Sequence, residues 1–156
     1  IREAEINLDI SRQVAALLKQ KGVNAVLTRT RDEEIELEPR VQFAERANAD
    51  VFVSIHANSF DASRKDVNGI ETFHYSGGSG QQLAQLVQKN LIQDLGARDR
   101  GVKTANFYVI KYTDMPAILV ETGFVTGSED AARFSTSAGR GRIASAIAKG
   151  ILEYLR

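Results

Sequence analysis

The segment Asp50–His56, DVFVSIH, constrains this chain more than any other feature. It is rich in β-branched residues and apolar at consecutive positions. A half-buried strand would alternate, so this run, apolar from Val51 to Ile55 except at Ser54, predicts a central strand covered on both faces. A second run, AILVETGF (Ala117–Phe124), reads the same way and carries a single acid, Glu121. GIETFHY (Gly69–Tyr75), NFYVIKY (Asn106–Tyr112) and the short NAVLTR (Asn24–Arg29) are further strand candidates. Helical periodicity lies between them. Ile10, Val14, Leu17 and Leu18 define a helix over about Asn7–Lys21, with Gly22 as its stop. A second helix should start near Pro39, which suits a first helical turn, and carry Val41, Phe43, Ala44 and Ala47 inward. Leu83, Leu86, Val87, Leu91 and Leu95 mark a third over Gln81–Leu95, ended by Gly96. Ser128 is placed to cap a fourth, with Glu129 and Asp130 at its positive end. Ile143, Ile147, Ile151 and Tyr154 stripe a last one. Strands alternating with helices predict an α/β fold: a three-layer sandwich on a mostly parallel, mixed sheet of about five to six strands, with helices on both faces. No repeat, low-complexity tract or linker divides it, so residues 1–156 read as one domain. The chain opens on a helix, where such folds usually open on a central strand. The expectation is that a strand precedes Ile1 and that the domain is N-terminally incomplete.

Composition removes whole classes of function. Lys and Arg total 20, as do Asp and Glu, so the net charge is zero and a broad nucleic-acid face is not expected. There is no cysteine, which excludes disulfides, thiolate catalysis and Cys-based zinc sites. No apolar run approaches the roughly 20 residues of a membrane-spanning helix. SGGSG (76–80) lacks the lysine and Ser/Thr spacing of a phosphate loop, and no GxSxG turn is present.

Open parallel sheets place their sites at the carboxyl ends of strands. His56 closes one apolar strand and Glu121 ends the apolar part of another. Glu3, in the loop expected after the preceding strand, opens at the same edge. An imidazole and a carboxylate suit a zinc ion, and a further carboxylate can take a proton from water. Each residue also has a plainer reading. A histidine at a strand end serves structure as readily as chemistry, and Glu3 beside Glu5 suits a helix dipole. Glu121 is harder to explain that way, because an acid at the end of an apolar strand needs a partner if buried. His74 is expected at a half-exposed strand position. Arg98, Arg100 and Lys103 read as a solvated loop, and Arg140 and Arg142 as facing water.

Four ordered blocks then carry a resemblance over nearly the whole chain: REAEINLDIS, LTRTRD with LEPRVQFAERANADVFVSIHAN, GIETF, and MPAILVETGFVTGSED. The chain resembles the zinc-dependent N-acetylmuramoyl-L-alanine amidases, hydrolases that remodel peptidoglycan and separate daughter cells. The resemblance implies Zn2+ as cofactor, with Glu3 and His56 as metal ligands and Glu121 as the catalytic acid–base. It also implies a further ligand histidine upstream of Ile1, and position 4 is Ala where the family usually has Lys. Asn58 and Arg40 lie in the matching blocks. Arg40 is read as pairing with a carboxylate to fix the fold, and Asn58 as orienting a ligand or touching the glycan. Peptidoglycan is then the partner, the location periplasmic or extracellular, and the expected state a monomer. Little chain separates Asn58 from the helix at Gln81, so an inhibitory helix is not expected there. Two other readings stay open: a zinc carboxypeptidase of similar architecture, and a non-catalytic peptidoglycan-binding module.

Overall fold

The computed structural model describes residues 3–27, 50–75, 79–106 and 115–156. In chain order the described elements are α1 (Glu3–Gln20), β1 (Phe52–Asn58), β2 (Ile70–His74), α2 (Gln81–Leu95), β3 (Asp99–Thr104), β4 (Ala117–Phe124), α3 (Ser128–Phe134) and α4 (Ser137–Leu155). The strands form one sheet in the order β1-β4-β2-β3. β1 and β4 run parallel, as do β2 and β3, and β2 meets β4 antiparallel. The α/β class and the mixed sheet agree with the expectation, with four strands among the described residues. Residues 24–27, expected to open a strand, lie in none. The helix expected near Pro39, most of the strand 106–112, and both Arg29 and Arg40 lie outside the described residues.

Strand alternation sorts the sheet's two faces. Ile118 and Val120 of β4 and Ile70 of β2 point into the main core. There they meet Leu83, Val87 and Leu91 of α2 and Ile143, Ile147 and Ile151 of α4, none more than 3% exposed. Each such side chain contributes roughly 1.5–3 kcal/mol by leaving water. Ile6, Ile10, Val14 and Leu18 of α1 follow one helical stripe into the same cluster. That stripe begins before Asn7, so α1 starts earlier than its periodicity suggested. α2 and α4 pack so closely that a Cβ on Gly150 would lie 2.7 Å from Val87 Cα. The other face of the sheet buries a smaller cluster of Phe52, Ala117 and Leu119, joined by Phe73, Tyr75 and Met115.

Helix ends follow local chemistry. Gly96 terminates α2 in the left-handed conformation, donating its N–H to Ile92 O. Thr136 caps α4 by accepting from Gly139 N at 2.9 Å. α3 is capped from a distance, contrary to the expectation for Ser128. Its cap position is Gly127, and Asn68 Oδ1, from the segment before β2, accepts from the N–H groups of Glu129 and Asp130. Arg140 also departs from its expected place in water. It bonds Asp9 of α1 and the carbonyl of Phe134, tying α4 to α1.

Candidate active site

The sheet register brings the sequence candidates together. His56 on β1 pairs with Glu121 on β4, and Glu121 pairs on its other side with Glu71 on β2. Alternation puts all three on the face of the smaller cluster. Glu3 heads α1 close enough that its charge acts on Glu121. The His56 ring is held by a 2.7 Å hydrogen bond between Nε2 and Ser54 Oγ, two residues back on the same face. Its carbonyl accepts from Thr122 Oγ1 at 2.8 Å.

Glu121 is the most unusual group in this cluster. Its Oε2 is buried with no hydrogen-bond partner. Burial first, then the charges of Glu71 and Glu3, push its carboxyl up to about 7. A carboxyl there is divided between its two protonation states near neutral pH, which is what proton transfer in both directions requires.

The backbone after Glu121 explains the Thr-Gly that follows it. The register shifts between His56 and Asn58, so that Asn58 pairs with Phe124 and β4 carries an extra residue. Such a bulge bends the strand and re-aims its side chains. Gly123 takes φ +146°, and a Cβ there would meet the Asp130 side chain at about 3 Å. Asp130 is fully buried and fully used. Its Oδ2 accepts from Phe124 N and Gly69 N at 2.8 Å each, and its Oδ1 pairs with Arg133. The exit of β4 and the start of β2 are thereby tied to one side chain. Asn58 finds a local use, its Oδ1 accepting from Ser59 N and its carbonyl from Val125 N.

Glu71, which the sequence reading passed over, completes the cluster together with Arg100 and Lys103, which it read as solvated. Glu71 is nearly buried, and its Oε2 lies 2.6 Å from Lys103 Nζ and 3.9 Å from Arg100 Nε. Arg100 lies over the Phe124 ring, and its stem passes where a Cβ on Gly69 would sit, 2.6 Å away. The segment read as a solvated basic loop is a strand, β3, whose cations are exposed as expected but also reach Glu71. The available signal was Glu71 itself, an acid inside a strand, to which the argument used for Glu121 applies equally. Arg98, just before the strand, is exposed too and pairs with Glu129. His74 is buried on β2 rather than half-exposed, its Nδ1 3.3 Å from Tyr75 O.

As donors, Glu3 and His56 offer the carboxylate oxygen and imidazole nitrogen that zinc prefers. Among the described residues, no group of three or more His, Cys, Asp or Glu is arranged to hold a metal ion. The fit therefore rests on two protein donors beside the unpartnered Glu121 Oε2.

Comparison with known proteins decides the family. The family model described as N-acetylmuramoyl-L-alanine amidase matches residues 1–153. The chain belongs to this amidase family. Its sequence is 44% identical to the N-acetylmuramoyl-L-alanine amidase LytC of Bacillus subtilis over 99% of the chain, which spans only 31% of that relative. The fold matches the N-acetylmuramoyl-L-alanine amidase AmiC2 of Nostoc punctiforme with a TM-score of 0.94, at 49% identity, covering 98% of this chain and 84% of that one. It also matches the catalytic domain of CwlV, an amidase from Bacillus (Paenibacillus) polymyxa, with a TM-score of 0.89 at 39% identity, covering the same shares. No helix among the described residues is long and apolar enough to cross a membrane.

Proposed function

We propose that this chain is the catalytic domain of a zinc-dependent hydrolase. Its reaction is cleavage of the amide between the lactyl group of N-acetylmuramic acid and L-alanine in peptidoglycan. The observation that carries this is the half-buried Glu121 carboxyl, its Oε2 enclosed and unpartnered and its pKa raised to about 7, beside His56 in the sheet register. Family membership supports the same bond as substrate.

Glu3 and His56 would hold the zinc ion, with Ser54 fixing the imidazole orientation. When bound, zinc supplies Lewis acidity toward a carbonyl and lowers the pKa of water. The remaining work falls to the protein. Glu121 accepts a proton from the attacking water as its oxygen adds to the lactyl carbonyl carbon. The carboxyl then returns that proton to the alanine nitrogen as the C–N bond breaks. The products are a lactyl carboxylate on the sugar and a stem peptide with a free amine. Because peptidoglycan lies outside the cytoplasmic membrane, the enzyme would act there, in cell-wall remodelling and cell separation.

The test is product analysis after the full-length protein acts on purified peptidoglycan. Release of intact stem peptides with new alanine amines is expected. Release of single terminal residues would point to a carboxypeptidase, and binding without release to a non-catalytic module. Either result would overturn the proposal.

A further inference from the structure

We infer that Arg100 and Lys103 form a subsite for a carboxylate on the peptide that follows alanine, so that the amidase prefers stems bearing that charge. The inference rests on the amidase reading and adds an orientation and a charge preference to it. Its basis is an imbalance beside the site. Two cations approach the same Glu71 oxygen, Lys103 at 2.6 Å and Arg100 at 3.9 Å. Glu71 has 11% of its side chain exposed, whereas Lys103 and Arg100 have 46% and 40%. The single anion is withdrawn and its two cations still reach solvent. One carboxylate offsets one of them, so these three side chains taken together carry one positive charge.

The register places this charge next to the chemistry. Lys103 pairs with Phe73, whose side chain belongs to the face that carries Glu71 and Glu121. β3 stands two strands from β4, about 10 Å at the ordinary strand spacing. That is roughly three residues of extended peptide, and Lys103 reaches back across one strand to Glu71. A carboxylate one or two residues beyond the scissile amide falls within range. On the β1 side the described residues just past His56 include Asn58, engaged with Ser59 N, and the exposed ring of Phe60. A peptide leaving toward β3, with the sugar toward β1, meets these two cations. A guanidinium and an ammonium together suit a carboxylate through charge-assisted hydrogen bonds.

The experiment compares two soluble probes, N-acetylmuramoyl-L-alanyl-D-glutamyl peptides whose α-carboxylate is either free or converted to a carboxamide. Their Kd values are measured by calorimetry on the metal-loaded Glu121→Gln protein, so that turnover does not intrude. The free carboxylate should bind about tenfold more tightly, and the ratio should shrink as salt is added. Adding Arg100→Gln or Lys103→Gln should bring it toward one, while Lys103→Arg should largely preserve it. Melting curves accompany each variant, and the salt titration reads the subsite without further substitution. Equal affinities at low salt, or a ratio unchanged in both glutamine variants, would overturn the inference. Cleavage of the two probes by the unsubstituted protein is scored separately. If neither is cut at the lactyl amide while the affinity ratio stands, the amidase reading fails and the anion subsite remains.

Discussion

Asp130 and Glu121 are acids beside β4, the first fully buried and the second half-buried, and the fold treats them in opposite ways. Asp130 receives two backbone N–H donors and a guanidinium. The Glu121 Oε2 receives no partner and faces the charges of Glu71 and Glu3. The first arrangement stabilises the ionised form and spends the group entirely on structure. The second disfavours ionisation and keeps the group reactive. A buried charge with every lone pair engaged is a fastener, whereas one left short of partners is a candidate for chemistry.

The sharpest way to break this comparison is to neutralise each acid. Glu121→Gln should lower the amidase rate by about 10³-fold, read as stem-peptide release, while bound zinc stays near its normal content. His56→Ala should lose both zinc and activity, read by metal analysis. Retained turnover in Glu121→Gln would remove the distinction between the two acids. Asp130→Ala should cost about 3–5 kcal/mol of stability in denaturant unfolding, because it strands Arg133 and two backbone donors.

A smaller effect tests the energetic side. The Glu121 carboxyl sits at about 7 against an ordinary 4.5, so the folded state holds its proton more tightly than the unfolded chain. This favourable contribution is fully present below about pH 4.5 and is lost as pH rises through 7. In chelator-treated protein, the melting temperature of Glu121→Gln should therefore gain on the wild type across that window, by up to about 6–12 °C before solvent screening reduces it. A difference independent of pH would contradict it. The smallest effect belongs to Arg98, whose pair with Glu129 is exposed on both sides. Arg98→Ala should leave the denaturant unfolding midpoint unchanged within error.

What the sequence disclosed depended on whether the information was local. β1, β2, α2 and β4 were legible because apolar runs and helical stripes are written in consecutive residues, and Gly96 marked a helix end by its own conformation. β3 was not legible, because DRGVKT carries no apolar pattern. It becomes a strand by adding to the edge of β2 and by delivering Lys103 to a carboxylate distant in sequence. The cap of α3 was missed for the same reason, since Asn68 supplies it from before β2. At the site, His56 and Glu121 could be read from their strand ends. Glu71 could not be read that way, because its significance lies in facing Glu121 across a strand pair.

The segment between β1 and β2 is pinned at both flanks. Phe60 N donates to Thr126 Oγ1, and Ser128 N donates to Lys65 O. Between these anchors, the bend from Asp61 to Arg64 is exposed and makes only local bonds. Lengthening, trimming or replacing that bend should leave His56 and Glu71 where they are. Evolution or an engineer can therefore graft new wall-recognition loops at this spot without retuning the reaction centre beneath.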